Sequence, residues 1–166
     1  MRFLVPAVLT LVILGLGEAF YPNYEVHELE DIIDGDTLNV ENDTVRFLGM
    51  DTPETFEFTD NEPEEFGLEN SEASINCLEE YGDEATEFVE NSTDNEIVLI
   101  GDRSSADRGF FDRRLDYIFS EGDITRKLVV DGYARVYPSN FSRQNEFYMW
   151  ERQASIEDKG VWGCPS

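Results

Sequence analysis

The chain has 166 residues, of which 40% are hydrophobic and 13% aromatic, and this apolar content excludes a disordered acidic protein. Asp and Glu number 37 against 12 Lys and Arg, so the formal net charge is −25. Because dense salt screens the repulsion within an acidic, lysine-poor surface, the composition predicts a halophilic source.

Residues 1–19 have the pattern of a secretory signal peptide. Arg2 precedes an apolar run over residues 3–16, and small residues stand near the expected cleavage point. The run is shorter than the roughly 20 residues that span a membrane, so we expect export, with an N-terminal membrane anchor as the alternative. Residues 20–166 are then a single domain, without stable membrane association once the leader is cleaved.

The first part of this domain has the patterning of β-strands. Residues 24–33 alternate loosely between polar and apolar, and Asp34-Gly35-Asp36 then predicts a turn. Residues 38–41 and 44–50 predict a hairpin with a short turn between its strands. The acidic, phenylalanine-containing segment 54–70 is expected to be a loop.

A long helix and two short strands follow this loop. Apolar residues at helical spacing predict an amphipathic helix over residues 74–91. Short apolar runs at residues 96–100 and 115–119 predict one strand each. The chain therefore returns to β-structure after the helix.

Two further helices are expected near the C-terminus. Asp123 can cap a short helix that runs to Val130. Residues 133–137 resume an extended pattern, and an apolar stripe over residues 147–154 predicts a last helix, closed by Gly160. This order of elements predicts an α+β fold, mainly β: a five-stranded OB-fold-like barrel with about three flanking helices.

The two cysteines, Cys77 and Cys164, are expected to form one disulfide, because an even count in an exported chain favours pairing. Such a bond would tie the first long helix to the C-terminus. Neither cysteine has a histidine near it in the sequence, which argues against a thiol nucleophile.

The segment from Asp34 to Thr55 combines carboxylates and an arginine with apolar strand residues, a mixture that suits a phosphate-handling metal site. Its two informative stretches are Asp34-Gly35-Asp36-Thr37 and Val45-Arg46-Phe47-Leu48-Gly49-Met50-Asp51-Thr52-Pro53-Glu54-Thr55. They resemble the core of the staphylococcal-nuclease-like (thermonuclease) family, whose members are typically calcium-dependent phosphodiesterases on a small five-stranded barrel. The resemblance continues, in the family's order, at residues 107–117, 128–137 and 154–162.

The resemblance implies a calcium site and a general base. Asp36 and Asp51 would be the carboxylate ligands of Ca²⁺, and Thr52 would give its backbone carbonyl. Calcium is a hard cation that prefers such oxygen donors. Glu54 would orient or deprotonate the attacking water, and Asp34 would hold the turn or an ion-bound water.

Two arginines are implied as ligands of the phosphate. Arg46 matches the first, and its planar guanidinium can give two parallel hydrogen bonds to phosphate oxygens. Phe111-Asp112-Arg113 stands where the family has Tyr-Gly-Arg, so aspartate, which tolerates left-handed geometry, replaces glycine, and the phenolic hydroxyl is lost. We choose Arg113 as the second phosphate ligand in preference to Arg103, Arg108 and Arg114.

Tyr137 lies near the position of the family's substrate-facing tyrosines, where an aromatic ring could stack on a base of the substrate. A purely structural Tyr137 is an equal alternative. Trp162 resembles the family's C-terminal packing tryptophan, and the only histidine, His27, is expected at the surface or in a strand.

The leading hypothesis is a secreted, monomeric, calcium-dependent endonuclease that hydrolyses DNA and/or RNA and leaves 3′-phosphate ends. Because salt weakens lysine–phosphate contacts, binding is expected to rest on a metal, bidentate arginine and aromatic stacking. One alternative is a catalytically inactive OB-fold module that binds nucleic acid or a protein partner, which the departure at residues 111–113 favours. Another is a structural calcium site in an extracellular scaffold.

Overall fold

The computed structural model describes residues 24–41, 43–54 and 62–166. The predicted leader at residues 1–19 lies outside these ranges, and the choice between signal peptide and anchor stays a prediction. Within the described ranges, no helix has both the length and the apolar character that crossing a membrane requires.

Eight strands and four helices make up this part of the chain. The strands are β1 (Tyr24–Asp34), β2 (Thr37–Val40), β3 (Asp43–Phe47), β4 (Met50–Asp51), β5 (Glu96–Gly101), β6 (Arg114–Ser120), β7 (Gly122–Asp123) and β8 (Arg135–Val136). The helices are α1 (Glu62–Glu65), α2 (Glu72–Ser92), α3 (Ile124–Val130) and α4 (Gln144–Ile156), with 3-10 turns at Phe110–Asp112 and Gly160–Gly163.

Five of these strands form a closed barrel. The long strand β1 pairs antiparallel with β5 through its first half and with β2 through its second half. The antiparallel pairs β2–β3 and β5–β6 extend the sheet on either side, and a parallel β3–β6 pair closes it. The order β1-β2-β3-β6-β5 and back to β1 confirms the predicted OB-fold-like barrel, and the fold class is α+β.

The barrel interior is filled by one continuous apolar core. Val45 and Phe47 alternate along β3 with Arg46, which follows from the two-residue period of a strand. Helices α2, α3 and α4 cover the barrel and add further fully buried side chains. The largest fully buried residues of the whole core, from strands and helices together, are Leu38, Phe47, Leu48, Met50, Ile97, Leu99, Tyr117, Ile118, Ile124, Leu128 and Phe147.

The long helix and the short capped helix occur where the sequence predicts them. Helix α2 begins after Ser71, whose Oγ accepts a hydrogen bond from the backbone N–H of Ser74 at 3.2 Å. Helix α3 begins after Asp123, whose Oδ1 accepts from the backbone N–H of Arg126 at 2.9 Å. Side-chain caps of this kind satisfy N–H groups that have no partner within the helix.

Two details of the predicted elements are wrong. The segment 54–70 is not simply a loop, because it contains α1 and the buried Phe66, although residues 55–61 lie outside the described ranges. The last helix ends at Ile156, and Gly160, with φ of +55°, begins the following 3-10 turn instead of closing the helix. A single buried apolar residue such as Phe66 does not create a hydrophobic periodicity in an acidic segment, so the sequence does not predict its burial.

A second, small apolar cluster lies beneath the C-terminal turn. Phe66, Leu78 and Val161 form its buried centre, and Trp162 packs against it. Cys77 and Cys164 form a disulfide beside this cluster, with an S–S distance of 2.03 Å across a sequence separation of 87. The C-terminus is therefore fixed to α2 by both apolar packing and a covalent bond.

Candidate active site

The turn between β1 and β2 brings a carboxylate to the open end of the barrel. Oδ1 of Asp34 accepts a hydrogen bond from the backbone N–H of Asp36 at 3.0 Å, so Asp34 supports the turn itself. A Cβ atom on Gly35 would lie 2.7 Å from Cβ of Ala85 and 2.9 Å from Oγ1 of Thr52. Only glycine therefore lets the turn approach α2 and Thr52 this closely.

Arg46 stands between Asp36 and Asp51, the two carboxylates that the family resemblance implies are metal ligands. Its Nη1 lies 2.9 Å from Oδ1 of Asp36, and its Nη2 contacts Oδ1 of Asp51. Oδ1 of Asp36 also accepts from Oγ1 of Thr37 at 2.8 Å, and Oδ2 accepts from the backbone N–H of Thr52 at 3.4 Å. One guanidinium thus holds the two carboxylates close together.

Several carboxylate groups lie close together around Asp36. Burial, opposed by Arg46 and assisted by Asp34 and Asp51, raises the pKa of Asp36 to about 7. Partial burial, followed by repulsion from Asp34 and Asp51, also raises the pKa of Glu54 above its ordinary value. A site that crowds carboxylates in this way favours an added cation, because the cation offsets their mutual repulsion.

A pocket of about 480 Å³ opens beside the paired carboxylates. Four residues for which the family resemblance implies a catalytic or substrate-binding role line it together: Arg46, Glu54, Arg113 and Tyr137. Phe110 and Arg108 form another part of its wall. The pocket therefore places three guanidinium groups, those of Arg46, Arg108 and Arg113, and one carboxylate of raised pKa around a single space.

Arg113 and its neighbour Arg114 point to different surroundings. Arg113 lines the pocket, and its Cζ lies 5.8 Å from the centre of the Phe111 ring. Arg114 instead forms ion pairs with Glu25 at 2.7 Å and with Asp116 at 3.1 Å. Asp112 has φ of +61°, so aspartate does adopt the left-handed geometry that glycine would otherwise supply.

Arg135 joins the site without having been identified from the sequence as part of it. Its Nη2 lies 2.6 Å from Oδ2 of Asp51 and also contacts Glu65 of α1. The centre of the Tyr137 ring lies 5.8 Å from Cζ of Arg46 and 5.9 Å from Cζ of Arg135. The alternation around Ala134-Arg135-Val136 indicates an outward-facing arginine, but its partner depends on the pairing of β4 with β8.

The donors at this site are of the kind that calcium prefers. Asp36 and Asp51 supply carboxylate oxygens, and the crowding of acids around Asp36 would be relieved by a divalent ion. Across residues 24–41, 43–54 and 62–166, no three His, Cys, Asp or Glu side chains are grouped so that they could hold a metal by themselves. A bound ion would therefore need backbone oxygens or water in addition to these two carboxylates.

The chain is similar to a known protein family and to several known proteins. Residues 44–164 match the family model described as staphylococcal nuclease homologue. An uncharacterized protein of Methanocaldococcus jannaschii is 34% identical over 143 residues, which cover 79% of this chain and 68% of that protein.

Two proteins of Bacillus subtilis are also similar to the chain. Endonuclease YncB is 27% identical over 142 residues, which cover 81% of this chain and 60% of the enzyme. The SPbeta prophage-derived endonuclease YokF is 27% identical over 142 residues, which cover 81% of this chain and 43% of the enzyme. The chain thus spans less than two thirds of either Bacillus protein.

Proposed function

The chain belongs to the staphylococcal nuclease homologue family, and we therefore propose that it is a nuclease that hydrolyses phosphodiester bonds in DNA, RNA or both. The observation that carries this proposal is the pocket that Arg46, Glu54 and Arg113 share. The two Bacillus relatives are named as endonucleases, which supports cleavage within a strand.

The two arginines would bind the phosphate that is attacked. A planar guanidinium can donate two parallel hydrogen bonds to phosphate oxygens, which a lysine ammonium cannot do. Arg46 pairs with Asp36 and Asp51, and its Nη groups would be released for phosphate when these carboxylates hold a cation. Arg113 approaches the same space from the other wall of the pocket and would stabilise charge that develops in the transition state.

Glu54 would act as the general base in the reaction. Glu54 lines the pocket with both arginines, so its carboxylate lies where it could accept a proton from an attacking water. A water oxygen would bond to phosphorus while Glu54 accepts the water's proton. The bond from phosphorus to the 5′ oxygen would break, leaving a 3′-phosphate, and solvent would protonate the departing 5′ oxygen.

We propose further that Asp36, Asp51 and the backbone carbonyl of Thr52 would hold a calcium ion. When bound, calcium supplies positive charge to the phosphate. The carboxylates are already within reach of one guanidinium, and Asp34 supports the turn that carries Asp36. Cleavage should therefore occur with calcium and stop when a chelator removes it.

The test is cleavage of a fluorescent single-stranded DNA in high salt, with calcium or with chelator. We expect cleavage only with calcium, and we expect Glu54→Gln to lower kcat by roughly 100- to 10,000-fold. Glu90→Gln, at an exposed position of α2, is the matched control and should behave as wild type. Full activity of Glu54→Gln would contradict the mechanism, and binding without any cleavage would support an inactive OB-fold module.

We also propose that the protein is a monomer that works outside the cell in high salt. The disulfide between Cys77 and Cys164 suits an oxidising compartment, and a net charge of −25 suits dense salt. Sedimentation in concentrated salt and comparison of the secreted and cellular fractions of the source culture would test these points. Recovery of the protein only from the cytoplasm would contradict export.

A further inference from the structure

Two neighbouring phenylalanine side chains, of which Phe110 lines the pocket, are exposed to solvent. Phe110 is 77% exposed and Phe111 is 92% exposed, more than any other large hydrophobic residue in the described part of the chain. Burying a side chain of this kind is worth about 1.5 to 3 kcal/mol, so folding gains little from placing both rings in water. An exposed apolar pair beside a polar pocket is typical of a binding surface.

The backbone that carries these rings is held in an uncommon conformation. Phe111 has φ of +60° and Asp112 has φ of +61°, and a bulky residue rarely adopts this left-handed region. The base of the loop is fixed by a hydrogen bond from the N–H of Gly109 to the carbonyl of Arg113 at 2.9 Å. Arg108 fixes it further through a bidentate pair with Asp43, at 2.7 and 3.0 Å. The rings are therefore presented by a restrained loop.

The same loop places a cationic group beside the rings. Cζ of Arg113 lies 5.8 Å from the centre of the Phe111 ring, and its Nε lies 3.4 Å from the carbonyl oxygen of Phe110. Phe110 and Arg113 line the pocket together with Arg46. A phosphate bound by the arginines would consequently have the base of an adjacent nucleotide next to the two rings.

We propose that Phe110 and Phe111 form a stacking platform for unpaired bases that flank the phosphate in the pocket. The occupant is a single-stranded nucleic acid, because a base within a duplex is stacked on its neighbours and cannot present its face to a side chain. The proposal rests on the proposed function for the position of the phosphate. It deepens that function by assigning two exposed residues of this chain to the binding of bases.

The charge of the protein favours a contact of this kind. A surface with a net charge of −25 repels a polyanion in dilute buffer, and salt dense enough to screen this repulsion also weakens contacts to phosphate. Stacking between uncharged rings and bases does not depend on such screening. The platform would therefore retain single strands under conditions in which arginine–phosphate contacts are weak.

The test measures binding in chelator, so that no cleavage occurs. A fluorescent single-stranded oligonucleotide and an abasic strand of the same length are titrated with wild type and with the double variant Phe110→Ala, Phe111→Ala, and binding is followed by anisotropy. We expect the double substitution to raise Kd for the ordinary strand by roughly 10- to 100-fold. Kd for the abasic strand should change by less than about twofold, because no base remains to stack.

Two further variants and one duplex complete the design. Met149→Ala, Ile156→Ala removes exposed apolar side chains from α4 and should bind both strands as wild type does. Phe110→Trp should retain tight binding, and a melting curve establishes that each variant is folded. A blunt hairpin duplex should bind wild type and the double alanine variant equally.

Each contrary result overturns the platform. An unchanged Kd would show that the rings do not contact the strand, and equal losses on ordinary and abasic strands would show that they act without bases. Self-association of wild type that the double variant lacks would assign the rings to a contact between copies of the chain. If wild type binds in the base-dependent way but never cleaves with calcium, the proposed function fails while the platform stands.

Discussion

Arg135 and Asp51 form an ion pair across the two-stranded β4–β8 sheet, with 2.6 Å between Nη2 and Oδ2. Arg135 also contacts Glu65, so one side chain connects the candidate metal ligand to α1. Only 12% of each of the two paired side chains is exposed. The pair is therefore shielded from solvent more than an ordinary surface ion pair.

Arg135→Gln should lower the free energy of unfolding by about 2 to 3 kcal/mol, because Asp51 and Glu65 would each lose a charged partner. Urea denaturation measures the change. Arg152→Gln, at an exposed position of α4, is the control and should lie within about 0.5 kcal/mol of wild type. A loss no greater than that of the control would show that the pair contributes nothing to stability.

Adjacent arginines provide a matched test of the phosphate ligands. Arg113→Lys should lower kcat by roughly 100- to 1000-fold, because lysine cannot reproduce the guanidinium fork in the pocket. Arg114→Lys should leave kcat within a few-fold of wild type, because Arg114 pairs with Glu25 and Asp116 outside that pocket. Cleavage rates and melting temperatures are measured for both, and the reverse ranking of kcat would assign the phosphate to Arg114.

The barrel could be predicted from the sequence because its strands carry strong local patterns. The apolar alternation around Arg46, the turn at Asp34-Gly35-Asp36 and the cap at Asp123 each depend on neighbouring residues alone. The parallel contact that closes the barrel joins Val45 to Arg114. It was expected only from the order of the elements, since no local pattern encodes a pairing between such distant strands.

Fewer of the site residues could be predicted, because some of their contacts also depend on the pairing of strands that are distant in the sequence. The family resemblance implies roles for Asp36, Arg46 and Asp51, and the barrel brings these three residues together. Arg135 was missed because its partner is fixed by the register of two-residue strands, which carry too little pattern to predict. Left-handed backbone is expected from the sequence at Asp112 but not at Phe111, because a bulky residue rarely adopts that region.

Breaking the disulfide should destabilise the protein considerably. Cys77 and Cys164 are separated by 87 residues, and closing a loop of this length is worth about 4 to 5 kcal/mol in the chain-entropy account. The double variant Cys77→Ala, Cys164→Ala should show that loss in urea denaturation, and reductant should give the same loss in wild type. Reductant should have no effect on the double variant, and a loss below about 1 kcal/mol would contradict the entropic account.

Acidic crowding on α2 should appear as a salt-dependent instability. Glu80 and Glu84 are exposed and lie one turn apart, where like charges repel. Glu84→Lys replaces this repulsion with an attraction and should raise the free energy of unfolding by about 0.5 to 1 kcal/mol at roughly 0.1 M salt. The gain should shrink at about 2 M salt, and a gain that is independent of salt would point to a cause other than charge.

Asp102 should make stability depend on pH. Its Oδ2 accepts hydrogen bonds from Oη of Tyr117 at 2.7 Å and from the backbone N–H and Oγ of Ser142 at 2.7 and 2.6 Å. Burial alone would raise the pKa of Asp102, but the hydrogen bonds from Ser142 and Tyr117 outweigh it and hold the pKa below its usual value. A carboxylate with a lowered pKa stabilises the folded state above its unfolded pKa and loses that contribution as pH falls through the folded pKa.

Asp102→Asn should therefore destabilise the protein by about 2 to 3 kcal/mol near pH 7, because its amide N–H groups would face donors. The difference from wild type should shrink as pH falls through the folded-state pKa of Asp102, which lies below its usual value. Urea denaturation at a series of pH values measures the difference in the free energy of unfolding. Asp83→Asn, at an exposed position of α2, should show a small difference at every pH. If the effect of Asp102→Asn did not change with pH, the carboxylate would not be the charged acceptor of this network.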